Sequence, residues 1–163
     1  MSDVFVGLGS NIEPLYHLRE ALQALETQFG LLRCSYVYQS PAYGFEGADF
    51  LNLVVTFPSS VGAEAVDAVL SAIEHAGGRV RGAEGFMART LDLDLLAYGA
   101  CVLPELRLPR EDILRYPFVL APLAELAPEF RHPATGVVLA DAWRSLASTG
   151  PALKRLGRLR DLD

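Results

Sequence analysis

The chain has 163 residues and a formal net charge of -6, from 14 basic and 20 acidic side chains. Its length fits one domain over residues 1–163, with a core that needs neither disulfides nor zinc. The acidic balance disfavours nucleic acid and anionic membranes as partners, since both attract broad basic surfaces. The sequence begins with a short apolar alternation and contains no long apolar run, so we expect a cytoplasmic protein without a membrane span.

The apolar pattern predicts four strands and four helices, separated by loops that contain glycine and proline. In chain order these are a strand over 4–8, a helix from Pro14 to Gly30, strands over 32–38 and 50–57, a helix between Gly62 and Gly77, a strand over 91–98, and short helices over 118–126 and 141–146. The leading order β-α-β-β-α-β is typical of the ferredoxin-like split β-α-β unit. We therefore predict an α+β fold with a mainly antiparallel sheet and covering helices. The second sheet face is either covered by the C-terminal helices or left as a binding surface.

Two aspartates alternate with leucines in the predicted strand over 91–98. On a strand, Asp92 and Asp94 share the face opposite the leucines and lie about 7 Å apart. Aspartate is a poor strand former and two like charges repel, so a divalent cation beside them would explain the pair. Carboxylates without histidine or cysteine favour a hard ion, most naturally Mg²⁺. The alternative is a solvated strand face.

Arginines cluster around this pair, because residues 79–115 hold six of the 13 arginines. Arg79, Arg81 and Arg89 precede the aspartates, and guanidinium groups grip phosphate with paired hydrogen bonds. A metal with arginines is the equipment of phosphoryl transfer. Glu74 adds a carboxylate at the edge of the apolar stripe of its helix. A loop of solvated ion pairs and a solvated rim glutamate are the competing interpretations.

Other common sites are excluded or disfavoured. Ile12 stands where a GxGxxG motif needs its third glycine, and Lys154, the only lysine, lies too near the C-terminus for a P-loop. The two cysteines form no CxxC pair, which excludes a zinc site of that type. His17, His75 and His132 have no catalytic or metal-binding context, and we expect them on the surface.

A flat heterocycle is a further candidate ligand. Phe50 and Asn52 share one face of the predicted third strand, where an aromatic ring and an amide can stack on and hydrogen-bond a planar ring. Phe50 as an ordinary core residue is the alternative.

Taken together, motifs spread over about residues 4–130 make the chain resemble 6-hydroxymethyl-7,8-dihydropterin pyrophosphokinase of folate biosynthesis. The motifs occur in the family's order and spacing: Gly9-Ser10-Asn11, Ser40-Pro41-Ala42-Tyr43-Gly44, Asp49-Phe50-Leu51-Asn52, Gly78-Arg79-Val80-Arg81, Ala88-Arg89-Thr90-Leu91-Asp92-Leu93-Asp94, Leu108-Pro109, and Phe118-Val119-Leu120-Ala121-Pro122-Leu123.

The resemblance implies a ferredoxin-like enzyme that uses ATP as co-substrate and transfers its β,γ-pyrophosphate to a reduced pterin, releasing AMP. Asp92 and Asp94 would bind two Mg²⁺ ions, and Asp94 would help to deprotonate the attacking hydroxyl. The implied catalytic residues are Arg79, Arg89, Asp92 and Asp94. The implied nucleotide contacts are Glu74, Arg79, Arg81, Arg89, Arg110 and Arg115. The implied pterin contacts are Ser40, Pro41, Tyr43, Phe50, Asn52, Phe86 and Phe118, with Phe50 and Phe118 on either side of the ring.

The chain also departs from the family pattern. Residues 86–88, Phe-Met-Ala, replace Trp-Gly-Pro before Arg89, and Arg110 replaces a nucleotide-contacting histidine. Tyr116 stands where the family has an arginine, beside Arg115 as a substitute. These departures leave a second hypothesis, a catalytically impaired homologue that binds pterin or nucleotide. An RNA-binding module of the same fold is disfavoured, because the aromatic-rich strand and the basic face are missing.

Overall fold

Six strands and five α-helices form the part of the chain that the computed structural model describes, residues 1–42, 47–77, 91–148 and 153–163. The strands are β1 (Ser2–Ser10), β2 (Arg33–Cys34), β3 (Val37–Ser40), β4 (Phe50–Ser59), β5 (Asp92–Tyr98) and β6 (Lys154–Gly157). The helices are α1 (Pro14–Phe29), α2 (Ala63–Ala76), α3 (Asp112–Arg115), α4 (Pro117–Leu126) and α5 (Leu139–Ala147). Within the described ranges, no helix is both long and apolar enough to cross a bilayer.

The strands form one sheet in the order β5-β1-β4-β3-β6, and β2 also pairs with β4. Every described pairing is antiparallel. β1 and β3 flank β4 on opposite sides, and α1 connects them, which is the split β-α-β arrangement. The structure therefore confirms the predicted ferredoxin-like fold. The first, third and fourth predicted strands correspond to β1, β4 and β5. The second predicted strand corresponds to β2 together with β3.

Each face of the sheet carries its own hydrophobic core. Alternate residues of the strands pack against α1 and α2, and this core includes Val4, Val6, Leu8, Leu18, Leu25, Leu53, Val55, Val66, Leu70, Leu93 and Leu95. The opposite face packs against the C-terminal helices, and this second core includes Phe5, Val54, Leu96, Ala97, Ile113, Leu120, Leu123 and Leu139. At the other end of that second face, the sheet presents polar residues instead. The C-terminal helices therefore cover part of this face, as one of the two predicted alternatives has it.

The predicted strand over 32–38 is two strands, β2 and β3, with a break at Ser35 and Tyr36. The backbone N–H of Ser35 donates to Val54 O at 2.9 Å, and the N–H of Val54 donates to the Ser35 hydroxyl at 2.9 Å. The N–H of Tyr36 turns away from β4 and donates to the Glu125 carboxylate of α4, at 3.0 Å to Oε2. The break therefore ties the sheet to α4 without leaving either N–H unsatisfied.

The C-terminal segment closes the β3 edge of the sheet. β6 pairs with β3. The sequence analysis did not predict this strand, because its Lys-Arg sequence has no apolar alternation. The Arg158 guanidinium donates to Cys34 O at 2.7 Å and lies over the Tyr36 ring, 4.2 Å from its centroid. Arg19 of α1 donates to the carbonyls of Leu159, at 2.9 Å, and Leu162. An otherwise open strand edge is covered in this way.

The expectation that all three histidines lie on the surface is wrong for His132, which is only 5% exposed. Its ring Nδ1 accepts the N–H groups of Ala134 at 3.2 Å and Thr135 at 3.3 Å, within the turn that follows α4. Two donors on one nitrogen favour the neutral ring, and burial lowers the pKa of the His132 imidazole below its usual range. Local hydrogen bonding in a tight turn, which apolar periodicity does not report, explains the difference.

Stability should decrease on mild acidification because of His132. In the unfolded chain a histidine takes up a proton near pH 6.5, whereas the folded state resists it, so the free energy of unfolding falls as the pH drops below about 6.5. We expect His132→Asn, whose side-chain oxygen replaces Nδ1 as acceptor, to show a smaller fall between pH 7 and pH 5 in urea titrations. His75→Asn, at an exposed position, controls for the loss of a histidine. Equal pH dependence in His132→Asn and the wild type would contradict this assignment.

Candidate active site

Three polar residues and a glycine from four neighbouring strands form a row across the second sheet face. In the pairing register, Gly9 of β1 lies opposite Asp92 of β5 on one side and Asn52 of β4 on the other. Tyr38 of β3 lies opposite Asn52 and extends the row. Neighbouring strands are about 4.8 Å apart, which places the Asp92 and Asn52 backbones about 10 Å apart. The acidic candidate and the amide candidate therefore lie on one face, with a glycine between them.

The strand alternation around Asp92 and Asp94 is as predicted. Leu93 and Leu95 are buried in the core under α1 and α2, and both aspartates point to the opposite face, where they are partly exposed. The register places Gly7 beside Asp94, so the neighbouring strand adds no side chain between the carboxylates and the solvent on this side. Both carboxylates are therefore partly accessible on this face.

Arg110 lies beside the second of these carboxylates. Its Nη2 is 3.5 Å from Asp94 Oδ1, and its Nε is 3.6 Å from Asp112 Oδ2. The family resemblance implies that Arg110 contacts the nucleotide, and this role stays a prediction. Its position is compatible with that role, and it adds a direct electrostatic contact with the candidate metal-binding pair that spacing alone did not indicate.

Glu74 is not a solvated rim residue, because only 8% of it is exposed. Its Oε2 accepts the backbone N–H of Leu93 at 2.9 Å, in the strand residue between the two aspartates. The spacing of Val66, Leu70 and Glu74 along α2 was the available signal, since Glu74 occupies a core position of the helix. A carboxylate at such a position requires a partner, and here one partner is the strand that carries the acidic pair.

Removing this carboxylate should loosen β5. Glu74→Ala leaves the buried N–H of Leu93 without its acceptor, and such a loss typically costs about 1–3 kcal/mol in the free energy of unfolding. Denaturant unfolding measures the change. The control is Glu64→Ala, an exposed glutamate of the same helix, for which we expect a loss of at most about 0.5 kcal/mol. A Glu74→Ala variant as stable as Glu64→Ala would argue against a structural role for the bond.

Asn52 is held in place by Ser40. The Asn52 Nδ2 donates to Ser40 Oγ at 3.1 Å, and both side chains are buried. Phe50, two residues before Asn52 on the same face, is partly buried, and Pro41 follows β3 at an exposed position. Four of the seven expected pterin contacts therefore lie on β3 and β4 or directly after β3: Ser40, Pro41, Phe50 and Asn52.

Two hydrogen bonds hold the residues that directly precede β4, Ala48 and Asp49. Asn11 Nδ2 donates to Ala48 O at 3.1 Å, and Gln39 Nε2 donates to Asp49 Oδ2 at 3.0 Å. Asn11 belongs to the Gly-Ser-Asn motif at the end of β1, and its side chain is almost fully buried. This motif thus connects β1 to the segment that precedes Phe50.

Phe118 lies at the start of α4 and stacks on Tyr116, with ring centroids 5.1 Å apart and an angle of 17° between the rings. The Arg115 guanidinium lies over the Tyr116 ring, 5.4 Å from its centroid. Tyr116, which stands in place of the family's arginine, therefore supports Phe118 from one side. Arg115 is exposed and lies next to this aromatic pair.

Five of the expected site residues lie outside the described residues: Tyr43, Arg79, Arg81, Phe86 and Arg89. Their assignments remain predictions. Among the residues that are described, no group of three or more histidine, cysteine, aspartate and glutamate side chains is placed to hold a metal ion.

Gly9 is the site residue to which the sequence analysis gave no role. A Cβ atom at this position would lie 2.7 Å from Asn52 Oδ1 and 3.9 Å from a Phe50 ring carbon, so only glycine permits this close approach. A glycine inside an alternating strand is the signal that marks such a contact.

The model of the family described as 7,8-dihydro-6-hydroxymethylpterin-pyrophosphokinase (HPPK) matches residues 5–128. The chain belongs to this family. The HPPK family match agrees with the resemblance found from the motifs, and it ends before α5 and β6. The C-terminal closure of the β3 edge therefore lies beyond the part that the family model covers.

Curated relatives support the same membership. The chain is 42% identical to 2-amino-4-hydroxy-6-hydroxymethyldihydropteridine pyrophosphokinase of Synechocystis over 136 residues, which is 80% of this chain and 69% of that protein. It is 35% identical to the enzyme of the same name from Porphyromonas gingivalis over 82% of this chain and 95% of that one. It is 38% identical to the enzyme of the same name from Pseudomonas aeruginosa over 80% of this chain and 83% of that one.

Among solved structures, the chain is similar to Plasmodium falciparum HPPK-DHPS, in the wild type with pteroate. The TM-score is 0.74 at 12% identity, over 90% of this chain and 44% of that one. For the A437G variant with STZ-DHP the TM-score is 0.73, over 90% of this chain and 46% of that one. This chain thus spans less than half of those proteins, and at such identity the likeness concerns the fold alone.

Proposed function

We propose that this chain transfers the β,γ-pyrophosphate of ATP to the hydroxymethyl group of 6-hydroxymethyl-7,8-dihydropterin, releasing AMP, as a step of folate biosynthesis. The observation that carries the proposal is the row of Asp92, Gly9 and Asn52 across three strands. On one side of the row are carboxylates that suit a metal ion, and the metal in turn would bind phosphates. On the other side is an amide that suits a pterin. The family membership supplies the reaction type.

The acidic side of the row fits Mg²⁺. This ion typically binds one or two protein carboxylates and completes its shell with water and substrate phosphates. Asp92 and Asp94 offer two partly exposed carboxylates on one face, which is the donor set of such a site. The two residues would hold the ions, two in number by the family resemblance, and the metal would neutralise the charge of the transferred phosphates. By motif position, Arg79, Arg81 and Arg89 hold phosphates as well.

The other side of the row recognises the pterin. The Asn52 carboxamide is fixed by its bond to Ser40 and presents an oxygen and a second N–H to a ligand, the pattern that an aminopyrimidinone ring matches. Phe50 and Phe118 supply aromatic faces for stacking, and Tyr116 supports Phe118. Tyr43 and Phe86 complete the pocket by motif position.

The reaction is an in-line displacement at the β-phosphorus of ATP. The hydroxymethyl oxygen of the pterin forms the new bond to this phosphorus, and the bond from the phosphorus to the α,β-bridging oxygen breaks. AMP leaves with that oxygen, and the hydroxyl proton passes to Asp94 and from there to solvent. The protein's main task is to hold two polar substrates in line on one face, which is how most enzymes of phosphoryl transfer act.

The identity of the nucleotide product tests the function. The purified protein is incubated with Mg²⁺, ATP and the hydroxymethyl dihydropterin, and the products are separated by chromatography. Attack at the β-phosphorus yields AMP, whereas an ordinary kinase attacks the γ-phosphorus and yields ADP. We expect AMP in an amount equal to the pterin diphosphate formed, and none after metal removal by EDTA. Ligand binding without AMP formation would support the impaired homologue instead.

A further inference from the structure

The Arg110 backbone is fixed, although its side chain is not hydrogen-bonded to the carboxylates beside it. The N–H of Arg110 donates to Leu96 O of β5 at 2.9 Å, and its carbonyl accepts the N–H of Ile113 at 3.2 Å. These bonds attach the segment before α3 to the strand that carries the acidic pair. The guanidinium is therefore delivered to Asp94 by the fold and not by a flexible loop.

The guanidinium stands at ion-pair distance from two carboxylates. It is 3.5 Å from Asp94 Oδ1 and 3.6 Å from Asp112 Oδ2, whereas charge-assisted hydrogen bonds are about 2.7–2.9 Å long. Its Nε is buried without a hydrogen-bond partner in the part of the chain that the structure describes. The side chain thus compensates charge without a short hydrogen bond that fixes it on either carboxylate.

We propose that Arg110 is an internal counter-cation of the Asp92/Asp94 pair, which the metal–nucleotide complex displaces from Asp94 and re-engages through phosphate. This inference rests on the proposed function for the identity of the metal and the nucleotide. Without ligands, the guanidinium neutralises Asp94 and reduces repulsion along the strand face. When the complex binds, the divalent cation takes over this neutralisation and the guanidinium fork turns to a phosphate.

Opposite effects on two affinities follow from this role. A guanidinium next to Asp94 repels a free divalent cation and competes with it for the carboxylate, so the free metal binds weakly. The same guanidinium attracts the phosphates, so the metal binds well when the nucleotide brings it. A residue that only links α3 to β5 would not change the two affinities in opposite directions.

The test uses Mn²⁺ as the metal probe and an ATP analogue with a methylene group between the α- and β-phosphorus, which cannot be cleaved at that bond. Free Mn²⁺ is counted by electron paramagnetic resonance, first with protein alone and then with the analogue present. In Arg110→Gln we expect binding of Mn²⁺ alone to be roughly three- to tenfold tighter. We expect binding of the analogue in the presence of Mn²⁺ to be roughly tenfold or more weaker.

Two further variants separate charge from structure. Arg110→Lys keeps the positive charge, so it should keep the weak binding of Mn²⁺ alone while losing part of the affinity for the analogue, because lysine lacks the fork. Arg144→Gln is the matched control, an arginine of an exposed pair with Asp141 on α5, and it should change neither affinity. Thermal unfolding of each variant verifies that it is folded.

The outcomes distinguish this role from the proposed function. Equal or weaker binding of Mn²⁺ alone in Arg110→Gln overturns the counter-cation role, whatever the turnover. A wild-type protein that binds Mn²⁺ through Asp92 and Asp94 but forms no AMP contradicts the proposed function and leaves the role of Arg110 intact. Tighter binding of the free metal together with weaker binding of the analogue establishes the role.

Discussion

Asp92→Asn and Asp94→Asn should each lower kcat/KM for the pterin, measured by AMP formation, by about a thousandfold or more. Asparagine has nearly the same shape but no charge, so it binds Mg²⁺ weakly and contributes little to neutralising the transferred phosphates. Both side chains are partly exposed on a strand, so the free energy of unfolding should change little, by about 0.5 kcal/mol at Asp92. Steady-state assays at saturating ATP and a denaturant titration measure the two quantities.

The control for this prediction is Asp141→Asn on α5, an exposed aspartate that pairs with Arg144. It should keep the full activity. If either Asp92→Asn or Asp94→Asn retained more than a tenth of the wild-type kcat/KM, the pair would not be the metal site that we propose. A large loss of stability in either variant would instead identify a structural role for the carboxylate.

The sequence predicted the parts of the site that depend on local periodicity. Alternation of leucine and aspartate is a property of one strand, so the shared face of Asp92 and Asp94 followed directly from spacing. The fold class was also accessible, because the element order β-α-β-β-α-β has few compatible topologies. The motif resemblance then gave the family, and the family match over residues 5–128 agrees with it.

What the sequence could not predict depends on contacts between distant segments. Glu74 and Leu93 are 19 residues apart, and only the packing of α2 on β5 shows that the carboxylate accepts the strand N–H. The contact of Arg110 with Asp94 likewise depends on the turn that returns the chain from β5 to α3. β6 was missed because a short edge strand with charged residues has no apolar period, and its partner β3 lies more than 100 residues earlier.

Gly9→Ala should impair pterin recognition much more than nucleotide binding. The new methyl carbon would lie 2.7 Å from Asn52 Oδ1, closer than any stable contact between these atoms. Asn52 can move away only by turning its carboxamide, which breaks the 3.1 Å bond to Ser40. Because a polar site that loses its alignment discriminates poorly, we expect KM for the pterin to rise roughly 10- to 100-fold. KM for ATP should change by less than about threefold.

Gly7→Ala provides the matched control on the same strand and the same face. Its Cβ would lie 3.4 Å from Leu96 Cδ1, a contact that a flexible side-chain end can accommodate. We therefore expect KM for the pterin in Gly7→Ala to stay within about threefold of the wild type, with a loss of stability no larger than in Gly9→Ala. Equal pterin KM values in the two variants would show that the close approach of Gly9 to Asn52 does not shape the pterin site. A selective rise in Gly9→Ala locates that site on the row that joins β1 to β4.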